Sequence, residues 1–234
     1  MVEKLMIFGL TRQEATIYIC LYQNGAMNGY ETAKLTGISR SNVYSALAGL
    51  VEKGAAYLME GTSNKYLALP VEELCENYVR HITEAKEYLE KNLVQNKQGT
   101  EGYITIEGYQ HIQDKICSML SKVEHRLYLS LSSCDVPQYL AQLERLASEG
   151  KKVVLLTDAK PDCSKQIQVY VSDTKEKQIH LIVDSAYVLT GDYSGSETDT
   201  CLYSGQKNFV NVLKDALRNE IRLSELGYEK RDEN

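Results

Sequence analysis

The sequence predicts an α+β protein with several domains, and three patterns along its 234 residues support this prediction. Residues 1–70 contain three helical patterns followed by two short β-like runs. Residues 71–98 contain one long helical pattern, and residues 99–234 alternate strand-like and helix-like segments. Because the three segments differ in the spacing of their apolar residues, we expect an N-terminal domain, a linking helix and a C-terminal α/β domain.

The first three helices are delimited by capping residues and glycines. Thr11 is expected to cap the first helix, because Glu14 follows three residues later and completes a capping box. A second short helix follows over residues 29–35, and a third begins after Ser39 and ends at Gly54. Short helices joined by turns in this order predict a helix-turn-helix arrangement.

A β-hairpin follows the third helix. Two β-like runs, residues 56–59 and 65–69, flank the segment E-G-T-S-N, whose composition is typical of a hairpin turn. Three helices followed by a hairpin form the order of a winged helix-turn-helix module, whose third helix lies in the major groove of DNA. The sequence therefore predicts a DNA-binding domain over residues 1–70.

The start of the third helix carries the side chains expected to contact DNA. Val43 and Leu47 recur at helical spacing and should face the core, which leaves the polar residues around them outward. With two nearby lysines, the predicted DNA-contacting residues are Ser39, Arg40, Ser41, Asn42, Tyr44, Ser45, Lys34 and Lys65. Arginine can pair with guanine and asparagine with adenine, whereas the other side chains suit phosphate contacts.

The helical pattern of residues 71–98 has a heptad repeat. Its seam residues follow alternating steps of four and three, and they are Val71, Cys75, Tyr78, Ile82, Ala85 and Leu89. This spacing predicts a dimerisation helix that pairs with a second copy of the chain. Packing within a single chain would produce the same spacing, and the sequence leaves both alternatives open. The pattern ends at N-K-Q-G, which is typical of a helix end and a linker.

The C-terminal domain is expected to contain a mixed sheet. Strands are predicted at residues 103–106, 126–132, 153–156, 167–171, 178–184, 186–190 and 200–204. Helices are predicted at residues 109–122, 137–149 and 209–226. The uninterrupted apolar run at residues 153–156 is typical of a strand that is buried on both faces. This alternation predicts an α/β domain.

Composition excludes several classes of protein. Hydrophobic residues make up 43% of the chain and charged residues 25%, which is typical of a globular protein. The apolar runs are too short to span a membrane and the N-terminus lacks a secretory signal, so we expect a soluble cytoplasmic protein without a membrane partner. The six cysteines form no C-x-x-C pair and the four histidines do not cluster with them, so neither a metal nor a cofactor is expected.

The net charge of −6 is unevenly distributed along the chain. Residues 101–234 contain 16 Lys/Arg and 21 Asp/Glu, whereas residues 1–70 contain six and five. The acidity therefore belongs to the C-terminal part. A nearly neutral N-terminal domain is compatible with DNA binding through few phosphate contacts.

Three runs of the sequence resemble a known family of regulators. They are L-T-R-Q-E-A-T-I-Y-I-C-L-Y, then Y-E-T-A-K-L-T-G-I-S-R-S-N-V-Y-S-A-L-A-G-L-V-E-K-G, and then Y-L-A-L-P. Together they are similar to the N-terminal domain of TrmB-type transcriptional regulators over roughly residues 5–70. The resemblance implies a homodimer that places two recognition helices on a pseudo-palindromic double-stranded DNA operator, with an effector domain after the dimerising helix.

The C-terminal domain of that family resembles the phospholipase D fold, whose hydrolase motif is H-x-K-x-x-x-x-D-x-x-x-x-x-x-G-S. The segment K-Q-I-H-L-I-V-D-S-A-Y-V-L-T-G-D aligns with it through Asp184 and Gly191. Lys177 then stands in place of the catalytic histidine, Ile179 in place of the lysine and Asp192 in place of the serine. Since isoleucine cannot hold a phosphate, the resemblance implies a phospholipase D-like domain that binds without hydrolysing.

We interpret the chain as a homodimeric, sequence-specific DNA-binding transcriptional regulator that is not an enzyme. Its C-terminal domain, residues 99–234, is expected to bind a small polar ligand such as a sugar at strand ends. The residues predicted to form that effector site are Ser132, Ser133, Asp158, Asp184, Asp192 and Tyr193. Two alternatives stay open, a phosphodiesterase-like enzyme with an appended winged helix and a winged-helix adaptor for protein interaction.

Overall fold

The computed structural model describes residues 1–93, 102–172 and 177–226. The predicted α+β class is confirmed, and the chain divides into two units, Met1–Lys97 and Gln98–Asn234. The predicted linker at residues 96–99 lies outside the described residues. Within the described part of the chain, no helix is both long enough and apolar enough to cross a membrane.

The described part of the first unit consists of five helices and a hairpin. These elements are α1 (Val2–Ile7), α2 (Arg12–Asn24), α3 (Gly29–Thr36), α4 (Arg40–Glu52), β1 (Ala56–Met59), β2 (Lys65–Ala68) and α5 (Val71–Asn92). Helix α1 was not predicted, because it has six residues, no side-chain cap and no buried residue. The other elements lie where the sequence predicts them, within one or two residues at most ends. The exception is α5, whose predicted pattern extends to residue 98, whereas the helix ends at Asn92.

Capping boxes begin both α2 and α3. At α2 the backbone N–H of Thr11 donates to the Glu14 carboxylate at 2.7 Å, and the N–H of Glu14 donates to the Thr11 hydroxyl at 3.2 Å. Asn28 and Glu31 repeat this arrangement at α3. Ser39 is the N-cap residue of α4, as predicted, but its side chain makes no capping bond. Its hydroxyl therefore stays on the exposed side of the helix start.

Helix α5 packs on the first unit only through its N-terminal turns. Leu74 is buried in the core of the unit, and the ring of Tyr78 meets the ring of Phe8 edge-on at a centroid distance of 5.3 Å. Further along, Ile82 and Leu89 are 53% and 50% exposed. Of the predicted seam residues, Tyr78 therefore packs within the chain, whereas Val71 is exposed and the part from Ile82 onward lies uncovered in the monomer.

Seven strands and three helices make up the described part of the second unit. The strands are β3 (Tyr103–Glu107), β4 (Arg126–Ser130), β5 (Lys152–Thr157), β6 (Gln168–Val171), β7 (Gln178–Val183), β8 (Tyr187–Asp192) and β9 (Thr200–Ser204). The helices are α6 (Tyr109–Leu120), α7 (Pro137–Ser148) and α8 (Lys207–Glu225). The strands form one mixed sheet in the order β3-β9-β8-β7-β4-β5-β6, in which β4, β5 and β6 are parallel and the other pairs are antiparallel.

The sheet lies between two helical layers. One face packs against α6 and α7, where Leu129, Leu155 and Leu181 belong to the same buried cluster as residues of both helices. The other face packs against α8, where Val154 and Leu217 are buried together. Alternate residues of the central strands therefore enter two different cores, which explains why β5 is apolar along its whole length.

Candidate nucleic-acid interface and strand-edge site

The start of α4 presents its predicted DNA-contacting residues to solvent. Val43 and Leu47 are fully buried, so α4 turns one side to the core of the first unit and the opposite side outward. All residues predicted to contact DNA on this helix are exposed, and they are Ser39, Arg40, Ser41, Asn42, Tyr44 and Ser45. The structure thus brings them together on one continuous surface at the helix N-terminus.

Tyr30 of α3 belongs to the same surface, although the sequence pattern did not predict it. The guanidinium of Arg40 lies over the Tyr30 ring, 4.7 Å from its centroid, and Tyr30 is 54% exposed. This cation–π contact restrains a long side chain that would otherwise sample many rotamers. The sequence did contain one indication of this role. Helix α3 is short and contains few apolar residues, so its one aromatic side chain is notable.

Gly29 and Tyr44 set the close approach of α3 and α4. A Cβ atom at Gly29 would lie 2.6 Å from ring carbons of Tyr44, so a larger residue there would displace the ring. Tyr44 remains 52% exposed, with one side of its ring against α3. Its hydroxyl is therefore held in a fixed position. A hydroxyl held in this way suits a phosphate contact that sets the register of the helix on DNA.

An ion pair fixes α4 against α2 behind this surface. Lys53 Nζ donates to a Glu14 carboxylate oxygen at 2.6 Å and to the carbonyl of Gly9 at 2.9 Å. Burial works to raise the pKa of Glu14, but the hydrogen bonds from Lys53 and Thr11 outweigh it and keep this pKa below its usual value. The capping box of α2 and the C-terminal end of α4 thus share one carboxylate.

The two lysines predicted to contact phosphates lie outside α4. Lys34 is exposed in the last turn of α3. Lys65 is exposed at the start of β2, opposite Met59 in the hairpin. The neighbouring Tyr66 exchanges two backbone hydrogen bonds of 2.8 and 3.0 Å with Met27. The hairpin is therefore tied to the turn between α2 and α3, which holds Lys65 in place beside the module.

In the second unit, three of the predicted effector residues follow parallel strands at one edge of the sheet. Ser132 and Ser133 follow β4, and Asp158 follows β5. The backbone N–H of Ser133 donates to the Asp158 carboxylate, and so does the Thr157 hydroxyl at 3.3 Å. Burial works to raise the pKa of Asp158, yet these bonds lower it below its usual value. Asp192, at the end of β8, lies at the same edge of the sheet and is exposed.

Asp184 does not join this group, contrary to the sequence prediction. Strand β7 runs antiparallel to β4, so the residue after β7 lies beside the start of β4, at the opposite edge of the sheet. There the Asp184 carboxylate accepts hydrogen bonds of 2.8–2.9 Å from the backbone N–H groups of Glu124, His125 and Arg126. These bonds outweigh burial and lower its pKa. Asp184 is thus a clamp on the loop before β4.

Tyr193 is also misplaced by the sequence prediction. It is only 2% exposed, and its hydroxyl lies 2.6 Å from that of Tyr139 and 3.4 Å from that of Tyr109. Burial is the main reason that the pKa of Tyr193 is raised above its usual value. A ring enclosed in this way cannot stack on a ligand. Leu189 of β8 and Tyr193 belong to the same buried cluster. Extending the alternation of side chains along β8 past Asp192 would have placed Tyr193 on this buried face.

The residues at the hydrolase-motif positions do not form a catalytic set. Ile179 is fully buried in the core on the α6 and α7 side, whereas Lys177 and Asp192 are exposed. Over residues 1–93, 102–172 and 177–226, no group of three or more His, Cys, Asp or Glu side chains has the arrangement of a metal site.

Comparisons with known proteins give one match to a family. Residues 5–72 match the family described as "Sugar-specific transcriptional regulator TrmB". The chain is 26% identical to the uncharacterized protein YrhO of Bacillus subtilis over 226 residues, which is 95% of this chain and 76% of that protein. It is 24% identical over 134 residues to the sugar-sensing transcriptional regulator TrmBL1 of Pyrococcus furiosus, covering 55% of this chain but only 39% of that protein.

Two solved structures show partial likeness to the chain. TrmBL2, described as an archaeal chromatin protein with a novel mode of DNA binding, has a TM-score of 0.44 and 20% identity, covering 94% of this chain and 96% of that one. Nuc of Salmonella typhimurium, a phospholipase D family member, has a TM-score of 0.41 and 11% identity, covering 51% of this chain and 94% of that one. The resemblance stated from the sequence is confirmed for the N-terminal domain by the family match over residues 5–72.

Proposed function

Residues 5–72 are a TrmB-type domain, and from this premise we propose that the chain is a sequence-specific DNA-binding transcriptional regulator. The observation that carries the proposal is the exposed start of α4, where Arg40, Asn42 and Tyr44 project from a helix whose other side is buried. Such a helix fits the major groove, and its arginine and asparagine can each pair with a base edge. Lys65 on the hairpin supplies a phosphate contact beside it.

The regulator acts as a homodimer, joined by the uncovered part of α5. Ile82 and Leu89 are each about half exposed, and Ala85 lies between them at the same heptad spacing. A monomer would leave this apolar stripe in water, whereas a second copy of the helix would cover it. A two-fold dimer presents two copies of α4, which is the arrangement that a pseudo-palindromic operator requires.

The second unit is the regulatory part of the molecule and takes a small polar ligand. This part of the proposal is supported by polar groups at the strand edge, the half-buried Ser132 and Ser133 and the exposed Asp192, and by the buried isoleucine at the position of the hydrolase lysine. An effector that binds one DNA-binding geometry better than another changes DNA affinity, typically by 5–150-fold. A phosphodiesterase activity is not part of the proposal, because Ile179 cannot contact a phosphate from the core.

The test is a selection of duplexes from random DNA with the full chain, followed by anisotropy titrations of the selected duplex. Arg40→Ala should weaken binding to the selected duplex by about 1–3 kcal/mol and relax the preference at one base position. Arg80→Ala is the matched control, because Arg80 is an exposed arginine of α5 outside the recognition surface, and its guanidinium donates to the side chain of Asn77 at 2.9 Å. A selection that yields no preferred sequence would contradict the proposal and favour a protein-interaction adaptor.

A further inference from the structure

A cleft of about 170 Å³ opens between α8 and the sheet of the second unit. Its floor is a row of four side chains that lie side by side on neighbouring strands, and they are Ile182, Tyr128, Val154 and Gln168. None of the six residues predicted to form the effector site lines this cleft. It lies on the α8 face of the sheet, toward the edge at which β5 begins.

The wall of the cleft is one side of α8. Lys214, Leu217, Arg218 and Ile221 recur at helical spacing and all line it. Leu217 and Ile221 pack against the sheet, which leaves the two cationic side chains along the opening. The two apolar residues therefore hold α8 on the sheet, and the two basic residues give the wall of the cleft its positive charge.

Three cations converge on this space. Lys152 extends from the start of β5, 5.9 Å from the centre of the Tyr128 ring, and faces Lys214 and Arg218 of α8. The described residues that line the cleft include no Asp or Glu. This concentration of positive charge stands in a segment, residues 101–234, where acidic residues outnumber basic ones by 21 to 16.

The acidic residues of α8 do not line the cleft, although two of them contact residues that do. Asp215 bonds Arg218 at 2.7 Å, but both side chains are more than half exposed, so the pair is weak and most guanidinium donors remain available. Glu220 accepts a hydrogen bond from Ser172 at 2.9 Å. Burial and the neighbouring carboxylate of Glu225 raise the pKa of Tyr170, which lines the cleft. No carboxylate of α8 lines the cleft, so this helix offsets the positive charge of the cleft only in part.

We propose that this cleft binds the phosphate group of a small phosphorylated molecule. Arginine and lysine together provide the donors and the charge that a phosphate dianion needs, and the Gln168 amide and the tyrosine hydroxyls can bond a hydroxylated remainder. The volume slightly exceeds the roughly 150 Å³ that accommodates benzene, so a phosphate with a short carbon skeleton fits. The cleft is a second site, separate from the strand edge that carries Ser132, Ser133 and Asp192, so the inference goes beyond the proposed function and rests on that function only for a link to DNA.

Calorimetric titration of the full chain without DNA tests the inference. The probes are inorganic phosphate and glycerol 3-phosphate, with glycerol as the phosphate-free counterpart, at constant ionic strength. The double variant Lys152→Gln/Lys214→Gln should raise the dissociation constants of both phosphates at least tenfold. The control Lys160→Gln/Lys165→Gln removes the same charge from exposed positions of the same unit that do not line the cleft, and it should bind like the wild type.

Two results would overturn the proposal. Either the wild type binds neither phosphate, or the cleft variant binds both as tightly as the control does. If the cleft variant instead loses affinity for random duplex DNA while its phosphate binding is unchanged, the cleft is a contact for the DNA backbone and the small-ligand proposal is wrong. DNA selection by the wild type is measured separately, so a failure of phosphate binding is distinguishable from a failure of the regulator function.

Discussion

Replacing Ile82 with aspartate tests the proposed dimer at the point where the uncovered stripe of α5 begins. Ile82 is 53% exposed in the monomer. Burying a whole isoleucine side chain stabilises by about 1.5–3 kcal/mol, so covering this exposed half contributes about 1 kcal/mol for each copy and about 2 kcal/mol for the dimer. Ile82→Asp removes that contribution and places two carboxylates at the seam. The dissociation constant of the dimer should therefore rise by more than about 30-fold.

Sedimentation equilibrium of the full chain over a range of micromolar concentrations measures this change. Thr83→Asp is the control, because Thr83 is exposed on the same helix but lies off the heptad seam. Thr83→Asp should dimerise like the wild type, whereas Ile82→Asp should sediment as a monomer and bind the selected duplex less tightly. A wild type that is monomeric at tens of micromolar, or equal dissociation constants for both variants, would refute the reasoning.

Three further changes have outcomes that follow from the structure. Lys65→Ala should weaken binding to selected and random duplexes alike and reduce the dependence of log K on log salt by about one unit, measured by anisotropy. Asp184→Ala should cost about 1–3 kcal/mol of unfolding free energy at pH 7, because three backbone N–H groups lose their acceptor. Since folding lowers the pKa of Asp184, its contribution is complete above the unfolded-state pKa and is lost as the pH falls through the folded-state pKa, so urea unfolding at acidic pH should show a smaller difference. Gly191→Ala should cost at least about 2 kcal/mol by the same assay, because its Cβ would lie 2.2 Å from the carbonyl oxygen of Thr200. Gly195→Ala, which meets no atom within 4 Å, should cost less.

Local signals in the sequence were sufficient for most elements of the fold. Thr11 with Glu14 marked the start of α2, and the alternation of strands and helices located each strand that the structure describes in the second unit. These features depend on neighbouring residues, so they are readable without knowledge of the tertiary structure. Helix α1 escaped prediction because a six-residue helix without a cap has too few positions to show a period.

The site residues were harder to predict, because their positions depend on strand direction. Asp184 was grouped with Asp158 since both follow strands, but β7 is antiparallel to β4 and carries Asp184 to the other edge. Arg40 was assigned from its place on the helix, whereas its contact with Tyr30 depends on the packing of α3 against α4. The cleft beside α8 combines residues from Tyr128 to Ile221, and no local pattern relates them.

Helix α5 connects two features mechanically. Its N-terminal turns pack in the core of the first unit, and its later turns carry the exposed apolar stripe from Ile82 to Leu89. Leu74 and Tyr78 attach its N-terminal turns to the winged helix without a hinge. Its 22 residues give a rigid arm about 33 Å long, so pivoting the arm by about 10° moves its far end by about 6 Å. In a dimer such a movement would act on both recognition helices at once. Stiffness of this arm, rather than any contact with bases, would then set which operator spacings the dimer tolerates.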